Sequence, residues 1–526
     1  MESSPSSTLN WQIETARRYH EATKHSYWSV RLSAHFLDWE NQPFPFKVYR
    51  DLEPLLLPRD VRPTGVSALE ALRAEADEGT SAGLDQTVRC PDLTTLAHLL
   101  FYSAGVTKKK SYPGGEIYFR AAACAGALYP IEVYLVCGEL PGLEAGVYHF
   151  SPLDFALRRL RAGDYRSVLV DATAEEPSVA RAPVIVVLTA ITWRSAWKYR
   201  DRSYRYHYWD AGMILANLGA TARAHRLPYR IVLGFADPVV NHLLGLDGQQ
   251  EKALALVPIG RDSTAVPASE RPVVSDLSAA VMPLSRQQVD YPLIREMHEA
   301  SSLRSPEDVA AWREGDFSPP TAEPHQSLLP LQPLDRSSFP TEELESVIMR
   351  RASTRRFAHR AITWRELSTI LALSTAAIPC DFLPSLAWTN DLYLSVHAVE
   401  TIPPGAYYLH RDRSAVECLR EGNFRRDARY LCLEQDLGGD SSATIFFLTD
   451  LSRILERYGN RGYRIAQLES GLIGGRIYLA AYALGRGATG LTFYDDDVTH
   501  FFSPHAANKS ALFVMAVGVP GRIGLR

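Results

Sequence analysis

The chain has 526 residues, which is more than one ordinary core supports and predicts two domains of roughly 200–250 residues each. Its composition, 46% hydrophobic and 22% charged, is typical of a soluble globular protein and excludes a disordered or fibrous one. The net charge of −4 provides no field to attract nucleic acid or an anionic membrane. The longest apolar run, residues 182–193, is too short to span a bilayer.

The chain also lacks several common site patterns. Its six cysteines form no C-x-x-C pair, its histidines form no H-E-x-x-H pattern, and no P-loop motif is present. We therefore expect free thiols in a reducing compartment, no metal site, and neither zinc-hydrolase nor P-loop chemistry. The polar, Ser-rich first ten residues have no apolar core of a signal peptide. A cytoplasmic protein with no nucleic-acid or membrane partner follows as the expectation.

A weak internal repeat at an offset of 259 residues is the most informative pattern. The segment K-Y-x-x-R-x-Y-R at 198–205 recurs as R-Y-x-x-R-x-Y-R at 457–464. The same offset carries Gly-x-Tyr at 146–148 onto 405–407, and it carries the following residues onto one another: Asp210 and Glu469, Gly212 and Gly471, Asp237 and Asp496. A common register over some 90 residues indicates a fused pseudo-dimer.

Both copies show the same predicted elements in chain order. An extended apolar stretch (131–137; 392–397) leads to the Gly-x-Tyr segment, which resembles an edge hairpin. A buried strand follows (182–190; 443–450), and then the Tyr-Arg segment opens a long apolar helix (209–225; 468–484). A last strand (253–259; 511–517) closes each copy. Strands mixed with long helices predict an α+β sandwich.

The segment between the copies, residues 275–340, is rich in Pro and Ser and is typical of a wrapping linker with short helices, one near 306–312. We predict copy one over residues 1–270, the linker over 271–340 and copy two over 341–526. A linker of this length can place the second copy beside the first in two-fold fashion.

A basic segment opens copy two. Residues 350–357 contain four arginines and two hydroxyl residues, which are the groups that clamp a phosphate, because guanidinium groups bond bidentately to its oxygens. A solvated basic turn, or a docking site for acidic residues, is the alternative. The motif R-A-S-T-R resembles the R-R-S-x-R segment of the nitroreductase family, which holds the phosphate and ribityl chain of FMN. The resemblance implies that Arg351, Ser353 and Arg355 bind FMN, with Ala352 in place of the second arginine.

A second resemblance covers copy one. Residues 120–134, R-A-A-A-C-A-G-A-L-Y-P-I-E-V-Y, are similar to R-x-x-P-S-x-G-x-L-Y-P-x-E-x-Y of the SagB-type (thiazole/oxazole-forming) branch. There Ala123 and Cys124 replace the Pro-Ser pair, and Gly126 permits close backbone approach to a flat ring. The pair Lys198-Tyr199 matches the catalytic K-Y pair of that branch. A helix-entry pair with an aromatic on the core is the structural alternative.

The two copies keep complementary parts of one site. Copy one has no phosphate clamp. Copy two has residues 384–388, ending in the bulky Trp388, where the Gly-containing loop is expected, and Arg457 in place of Lys198. An arginine stays protonated and cannot act as a base near neutral pH. The resemblance places FMN between the copies, with Gly490 and Arg522 as further contacts.

The resemblance implies an FMN-dependent dehydrogenase that oxidises azoline rings, in a peptide or carrier-bound intermediate, to azoles. Lys198 or Tyr199 would move one proton, and dioxygen is the expected electron acceptor. A cyclodehydratase or synthetase is the expected partner, and the chain is expected as a monomer or a higher homo-oligomer. An NAD(P)H-dependent nitro- or quinone reductase, and a non-catalytic scaffold of a biosynthetic complex, remain alternatives.

Overall fold

The structure, a computed structural model, describes residues 9–60, 62–73, 88–112, 115–269, 271–319, 322–384 and 387–521. The predicted FMN contact Arg522, and Ser385 and Leu386 of the segment before Trp388, lie outside these ranges. Within them, no helix has the length and apolar character needed to cross a membrane.

Helices and strands alternate along both copies. The described α-helices are α1 Glu14–Ala22, α2 Tyr27–Arg31, α3 Ala68–Leu72, α4 Leu93–Ala104, α5 Arg166–Ala172, α6 Pro177–Ala180, α7 Thr192–Tyr199, α8 Ser203–Ala224, α9 Asp237–Leu244, α10 Pro292–Ala300, α11 Pro306–Arg313, α12 Leu344–Arg350, α13 Trp364–Ser374, α14 Arg425–Leu431, α15 Asp436–Asp440, α16 Leu451–Tyr458, α17 Arg461–Ala483 and α18 Asp495–Phe502. The strands are β1 Pro54–Leu56, β2 Val106–Tyr112, β3 Gly115–Arg120, β4 Ile131–Cys137, β5 Gly146–Ser151, β6 Ala156–Ala162, β7 Val184–Ile191, β8 Glu251–Ile259, β9 Leu328–Pro330, β10 Asp391–Val396, β11 Gly405–His410, β12 Ala415–Glu421, β13 Ala443–Thr449, β14 Gly487–Gly490 and β15 Ser510–Gly518.

Each copy is built on one antiparallel sheet. The strand order is β1-β6-β5-β4-β7-β8 in copy one and β14-β15-β13-β10-β11-β12-β9 in copy two. In β4, Val133 and Leu135 join the larger core cluster, whereas Tyr134 and Val136 join the cluster on the opposite face. Both faces of this strand are therefore apolar, which is typical of a sheet covered on both sides. The predicted α+β fold of two sandwich domains is confirmed.

The predicted hairpins are present, but their position at a sheet edge was wrong. The hairpin β5–β6 lies inside its sheet because β1 pairs with β6, and β11–β12 lies inside because β9 pairs with β12. The edge strands β1 and β9 have three residues each, which is too few to show an alternating pattern in the sequence. Strand β9 comes from the linker segment, which also forms α10 and α11.

The two long helices α8 and α17 cross at a pair of glycines. A Cβ built on Gly212 would lie 2.4 Å from the Leu472 backbone nitrogen, and one on Gly471 would lie 2.3 Å from the Trp209 carbonyl oxygen. The backbones of the two helices therefore approach to a distance that only glycine allows. The internal repeat pairs these two residues, and the structure brings them into contact at the centre of the pseudo-dimer.

Two reciprocal ion-pair clusters join the copies. Asp237 at the start of α9 accepts hydrogen bonds from Arg461 at 2.7 Å and Arg464 at 2.6 Å. Asp495 at the start of α18 lies 3.0 Å from Arg202 and 2.7 Å from Arg205. The predicted partner of Asp237 in the repeat, Asp496, was therefore wrong by one residue. One residue is missing between the long helix and the next helix of copy two, and the run of three aspartates at 495–497 hid that deletion.

Candidate active site

A cavity of about 860 Å³ lies between the two copies. Copy one contributes Lys198, Tyr199 and the loop that carries the predicted residues Ala123, Cys124 and Gly126. Copy two contributes the predicted residues Arg351, Ser353, Arg355 and Gly490. The structure thus brings every predicted site residue within its described part to one cavity, and the volume is that of a ligand pocket.

The cavity wall is strongly basic. Of the side chains that line it, seven are Lys or Arg and one, Asp210, is acidic; the basic ones are Lys108, Lys110, Arg120, Lys198, Arg350, Arg351 and Arg355. The whole chain carries a net charge of −4, so this concentration of positive charge is local. Such a wall favours an anionic ligand, a phosphate above all.

Gly126 forms the turn that faces the predicted catalytic pair. Its φ is +65°, a left-handed conformation that disfavours residues with a Cβ. A Cβ built there would lie 2.8 Å from the Tyr199 hydroxyl and 3.3 Å from Lys198 Nζ. The Lys198 amine and the Tyr199 hydroxyl therefore both lie next to the backbone of Gly126 at the wall of the cavity.

Lys198 and Tyr199 lie at the end of α7, not at the entry of the long helix as the sequence suggested. The Tyr199 ring stacks on that of Tyr206 with 4.3 Å between centroids and 14° between planes. Burial raises the pKa of the Tyr199 hydroxyl well above its ordinary value, and neighbouring Tyr206, Cys124 and Asp210 act in the same direction. Tyr199 therefore holds its proton at neutral pH and is suited to donate a hydrogen bond.

The predicted phosphate clamp lies on the copy-two side. The Arg351 guanidinium donates hydrogen bonds to the Ala121 carbonyl at 3.0 and 3.2 Å and to the Arg120 carbonyl at 3.1 Å, so it also connects the two copies. Arg355 is exposed to the cavity and has no hydrogen-bond partner within the described ranges. The free guanidinium and the hydroxyl of Ser353 are the groups that remain for an anion.

Tyr478 and the backbone of Gly490 extend this side of the wall. The Tyr478 hydroxyl lies 3.0 Å from Ser353 Oγ and accepts a hydrogen bond from the Gly490 N–H at 3.0 Å. Gln435 and Thr492, linked to each other at 3.1 Å, lie further along. Sequence reasoning missed Tyr478, Gln435 and Thr492, because single polar residues in a helix or loop carry no spacing signal.

Asp210 holds the loop that precedes the Gly126 turn. Its carboxylate accepts hydrogen bonds from the Ala125 N–H at 3.0 Å and the Cys124 thiol at 3.1 Å. Burial raises the pKa of Asp210 to about 7, and burial together with Asp210 raises the pKa of the Cys124 thiol well above its ordinary value. At neutral pH the thiol is thus protonated and the carboxyl is close to its titration midpoint.

The equivalent acid in copy two has a different environment. Glu469 accepts N–H groups of Thr389 at 2.7 Å and Asn390 at 3.0 Å, and it pairs with Arg411 at 3.2 Å. At the position of Arg411, copy one has Pro152. Each acid holds the loop before the central strand of its own copy. Only Asp210 lines the cavity, and it has no partner that corresponds to Arg411. The repeat identified Asp210, although not its role.

We expect Asp210→Asn to change the pH dependence of stability. Below the ordinary pKa of aspartate, folded and unfolded chains both carry the proton, and Asp210 has no effect on pH dependence. Between that pKa and about 7 only the unfolded chain releases the proton, so the wild type loses up to ~4 kcal/mol of stability as pH rises. Asparagine cannot ionise, so the Tm of the variant relative to the wild type should rise by several degrees between about pH 4 and about pH 8. A Tm difference that is the same at both pH values would contradict the raised pKa of Asp210.

In copy two, the residues equivalent to the Lys-Tyr pair are Arg457 and Tyr458, and both are hydrogen-bonded to the linker. Arg457 donates hydrogen bonds to the carbonyls of Trp312 at 3.1 Å, Arg313 at 3.2 Å and Gly315 at 2.6 Å. The Tyr458 carbonyl accepts the Trp312 indole N–H at 3.0 Å, and Trp312 is fully buried. Trp388 is also buried, beneath the Arg411 guanidinium at 4.9 Å. The contacts of these copy-two residues are internal to the fold, whereas Lys198 and Tyr199 line the cavity.

The described residues contain no group of three or more His, Cys, Asp or Glu that could hold a metal ion. All six cysteines are unpaired in the structure. The cavity instead provides a turn without a side chain at Gly126, the unpaired guanidinium of Arg355, and the hydroxyl of Ser353, which is linked to Tyr478. This donor set fits an organic cofactor with a flat ring and a phosphate, as FMN has.

Comparison with known proteins places the chain. The model of the Nitroreductase family matches residues 85–261 and 348–519, one match in each copy. A crystal structure of a protein of Anabaena variabilis assigned as a nitroreductase superimposes with a TM-score of 0.76 at 26% identity, over 96% of this chain and 99% of that one.

Two relatives are named as processing proteins. The trifolitoxin-processing protein TfxB of Rhizobium leguminosarum bv. trifolii is 32% identical over 32% of this chain and 47% of its own. The microcin B17-processing protein McbC of Escherichia coli is 28% identical over 26% of this chain and 49% of its own. The match thus covers about half of each of these relatives. With two matched regions that cover most of its length, the chain belongs to the Nitroreductase family.

Proposed function

We propose that the chain is an FMN-dependent dehydrogenase of the SagB type, which oxidises azoline rings of a peptide or carrier-bound natural-product intermediate to azoles. The observation that carries the proposal is the single cavity in which Lys198 and Tyr199 of one copy face the basic segment of the other. Membership of the Nitroreductase family supports an oxidoreductase, and the finer assignment rests on the geometry of this cavity.

Each copy has its own part in holding the cofactor. Arg355 and Ser353 of copy two would bind the phosphate, with Arg351 beside them to connect the copies. The Gly126 turn of copy one would lie against the ring, since a side chain at this position would fill the space beside Tyr199. When bound, FMN supplies the acceptor for a hydride. We also propose that copy one ends near residue 270 and that copy two begins near residue 341, with the linker between them.

Aromatisation of an azoline removes a hydride from one ring carbon and a proton from its neighbour. Tyr199 holds its own proton, so we assign it to hydrogen-bond and orient the substrate. We assign Lys198 to take the proton as its neutral amine, because Nζ faces the Gly126 turn and lies 5.3 Å from the centroid of the Tyr199 ring. The buried aromatic rings of Tyr206 and Trp209 keep water from this corner of the cavity.

TfxB and McbC are named for the processing of trifolitoxin and of microcin B17, which supports a role for this chain in the maturation of such a product. A cyclodehydratase or synthetase that forms the azoline is the partner class that this chemistry requires. We also propose that the chain works in the cytoplasm, where its free thiols stay reduced.

The test is a comparison of two substrates on the purified flavoprotein. A synthetic peptide that contains one thiazoline should be converted, in the presence of dioxygen, to a product lighter by two hydrogen atoms, as measured by mass spectrometry. NAD(P)H with a nitroaromatic compound should give little turnover. Rapid NAD(P)H-driven reduction without azoline oxidation would favour a nitro- or quinone reductase, and a protein that binds no flavin would favour a scaffold.

A further inference from the structure

The N-terminal segment 26–41, which we name the strap, exposes an unusual amount of apolar surface. Four of its large side chains are mostly exposed: Trp28 (66%), Leu32 (76%), Phe36 (87%) and Trp39 (66%). Isolated exposed apolar residues are common, but four within twelve residues are a candidate interaction surface.

The strap runs from the copy-two rim of the cavity to the copy-one rim. At one end, Arg31 pairs with Glu434 at 2.7 Å, next to Gln435 of the cavity wall. At the other end, the Trp197 indole donates a hydrogen bond to the Asp38 carbonyl at 2.9 Å, next to Lys198. Leu37 and Tyr199 pack against one shared apolar cluster. The strap is therefore fixed beside the cavity wall at both of its ends.

A basic hairpin borders the same cavity. Strands β2 and β3 pair only with each other among the described strands. Lys108 and Lys110 line the cavity and are exposed, and neither forms an ion pair within the described residues. Lys109 lies between them and pairs with Glu116 at 2.6 Å. Because side chains alternate along a strand, Lys108 and Lys110 share one face and Lys109 takes the other.

We propose that the strap and the cavity-facing lysines of the hairpin form the docking surface for the peptide part of the substrate, with apolar side chains on the strap and carboxylates at Lys108 and Lys110. This inference rests on the proposed function. The strap offers apolar side chains and the hairpin offers unpaired cations, both beside the same cavity. Together they are complementary to a peptide that carries acidic and apolar residues around its reacting ring.

A second copy of the chain fits this surface less well. The contact between two equivalent copies is already made within the chain, where α8 and α17 cross at Gly212 and Gly471. A second copy seated on the strap would also cover the mouth through which the substrate must enter. A peptide substrate, in contrast, occupies the mouth and the cavity at once.

The experiment measures peptide binding to the flavin-loaded protein by fluorescence anisotropy, without turnover. The probe is a fluorescein-labelled synthetic peptide with Asp, Leu and Phe flanking one thiazoline, and its control has Lys for Asp and Ser for Leu and Phe. We expect the control peptide to bind at least tenfold more weakly. Leu32→Ser with Phe36→Ser, and Lys108→Ser with Lys110→Ser, should each raise the Kd of the probe about tenfold.

Two matched variants control for surface changes in general. Lys109→Ser removes a lysine from the other face of the same hairpin, and Val273→Ser removes an apolar side chain that is 89% exposed in the linker segment. Both should leave the Kd of the probe unchanged. Equal Kd values for the two peptides, or equal effects of the control and test variants, would overturn the proposal.

Three further measurements separate peptide docking from self-association, from lipid binding and from a failure of the proposed chemistry. Loss of a dimer in sedimentation of the Leu32→Ser, Phe36→Ser variant would assign the strap to self-association. Strap-dependent binding to phosphatidylglycerol vesicles, with no preference between the peptides, would assign it to a lipid surface. A small free thiazoline should be oxidised equally by the wild type and the strap variant. If no thiazoline is oxidised while the anisotropy still discriminates, the proposed function fails and the docking surface stands.

Discussion

Lys198→Ala is expected to lower kcat for azoline oxidation by about 10²–10⁴-fold, the usual contribution of a positioned proton-transfer group. Tyr199→Phe is expected to lower kcat by about tenfold, through loss of the hydrogen bond that orients the substrate. Flavin content should stay at the wild-type value, because the proposed phosphate contacts belong to copy two. Turnover under saturating substrate and the visible flavin absorbance per chain measure the two effects separately. Wild-type turnover in both variants would remove these residues from the mechanism.

The internal repeat supplies a matched control for this experiment. Tyr458 stands at the position of Tyr199 in copy two, but its hydroxyl donates a hydrogen bond to the Phe382 carbonyl and its ring packs near Trp312 at 5.7 Å. Tyr458→Phe should therefore leave kcat unchanged and cost about 1 kcal/mol of stability through the lost buried hydrogen bond. The contrast between the two equivalent tyrosines tests whether only one half of the pseudo-dimer is catalytic.

Asp237→Asn is expected to cause the largest loss of stability, about 3–5 kcal/mol, because it removes the negative partner from a buried ion-pair cluster. Arg461 and Arg464 pair with this carboxylate and are fully buried. Without it, two guanidinium groups of copy two remain in the interface with no charge to balance them. The midpoint of denaturant unfolding measures the effect.

The exposed Asp276 provides the control for that substitution. Its side chain is fully exposed and lies 3.8 Å from His242, so Asp276→Asn should leave the unfolding midpoint close to the wild-type value. Asp495→Asn, which affects the reciprocal cluster, should resemble Asp237→Asn. A stable Asp237→Asn protein would show that the interface does not depend on these ion pairs.

Residues with a strong local pattern were predictable from sequence. The strand at 131–137 matches the structure residue for residue, because its apolar run is bounded by a proline before it and a glycine after it. The pairing of Gly212 with Gly471 followed from the repeat, whereas their contact across the helix crossing did not. Contacts between distant segments leave no trace in a single sequence unless symmetry relates them.

The features that the sequence did not predict have equally specific causes. The long helices begin at Ser203 and Arg461, earlier than predicted, because their first turns are polar and aromatic and are buried by the other copy. The Asp495 register was missed because the neighbouring residues are also aspartates. The role of Asp210 depends on burial and on the absence of a cation at Pro152, which only the folded chain shows.

The flavin content per chain tests most directly whether the two copies share one working site. Protein purified with excess FMN and then denatured should release one FMN per 526-residue chain, measured by flavin absorbance against chain concentration. Two FMN per chain would contradict a single site shared between the copies. No FMN would contradict a flavin site in the cavity altogether.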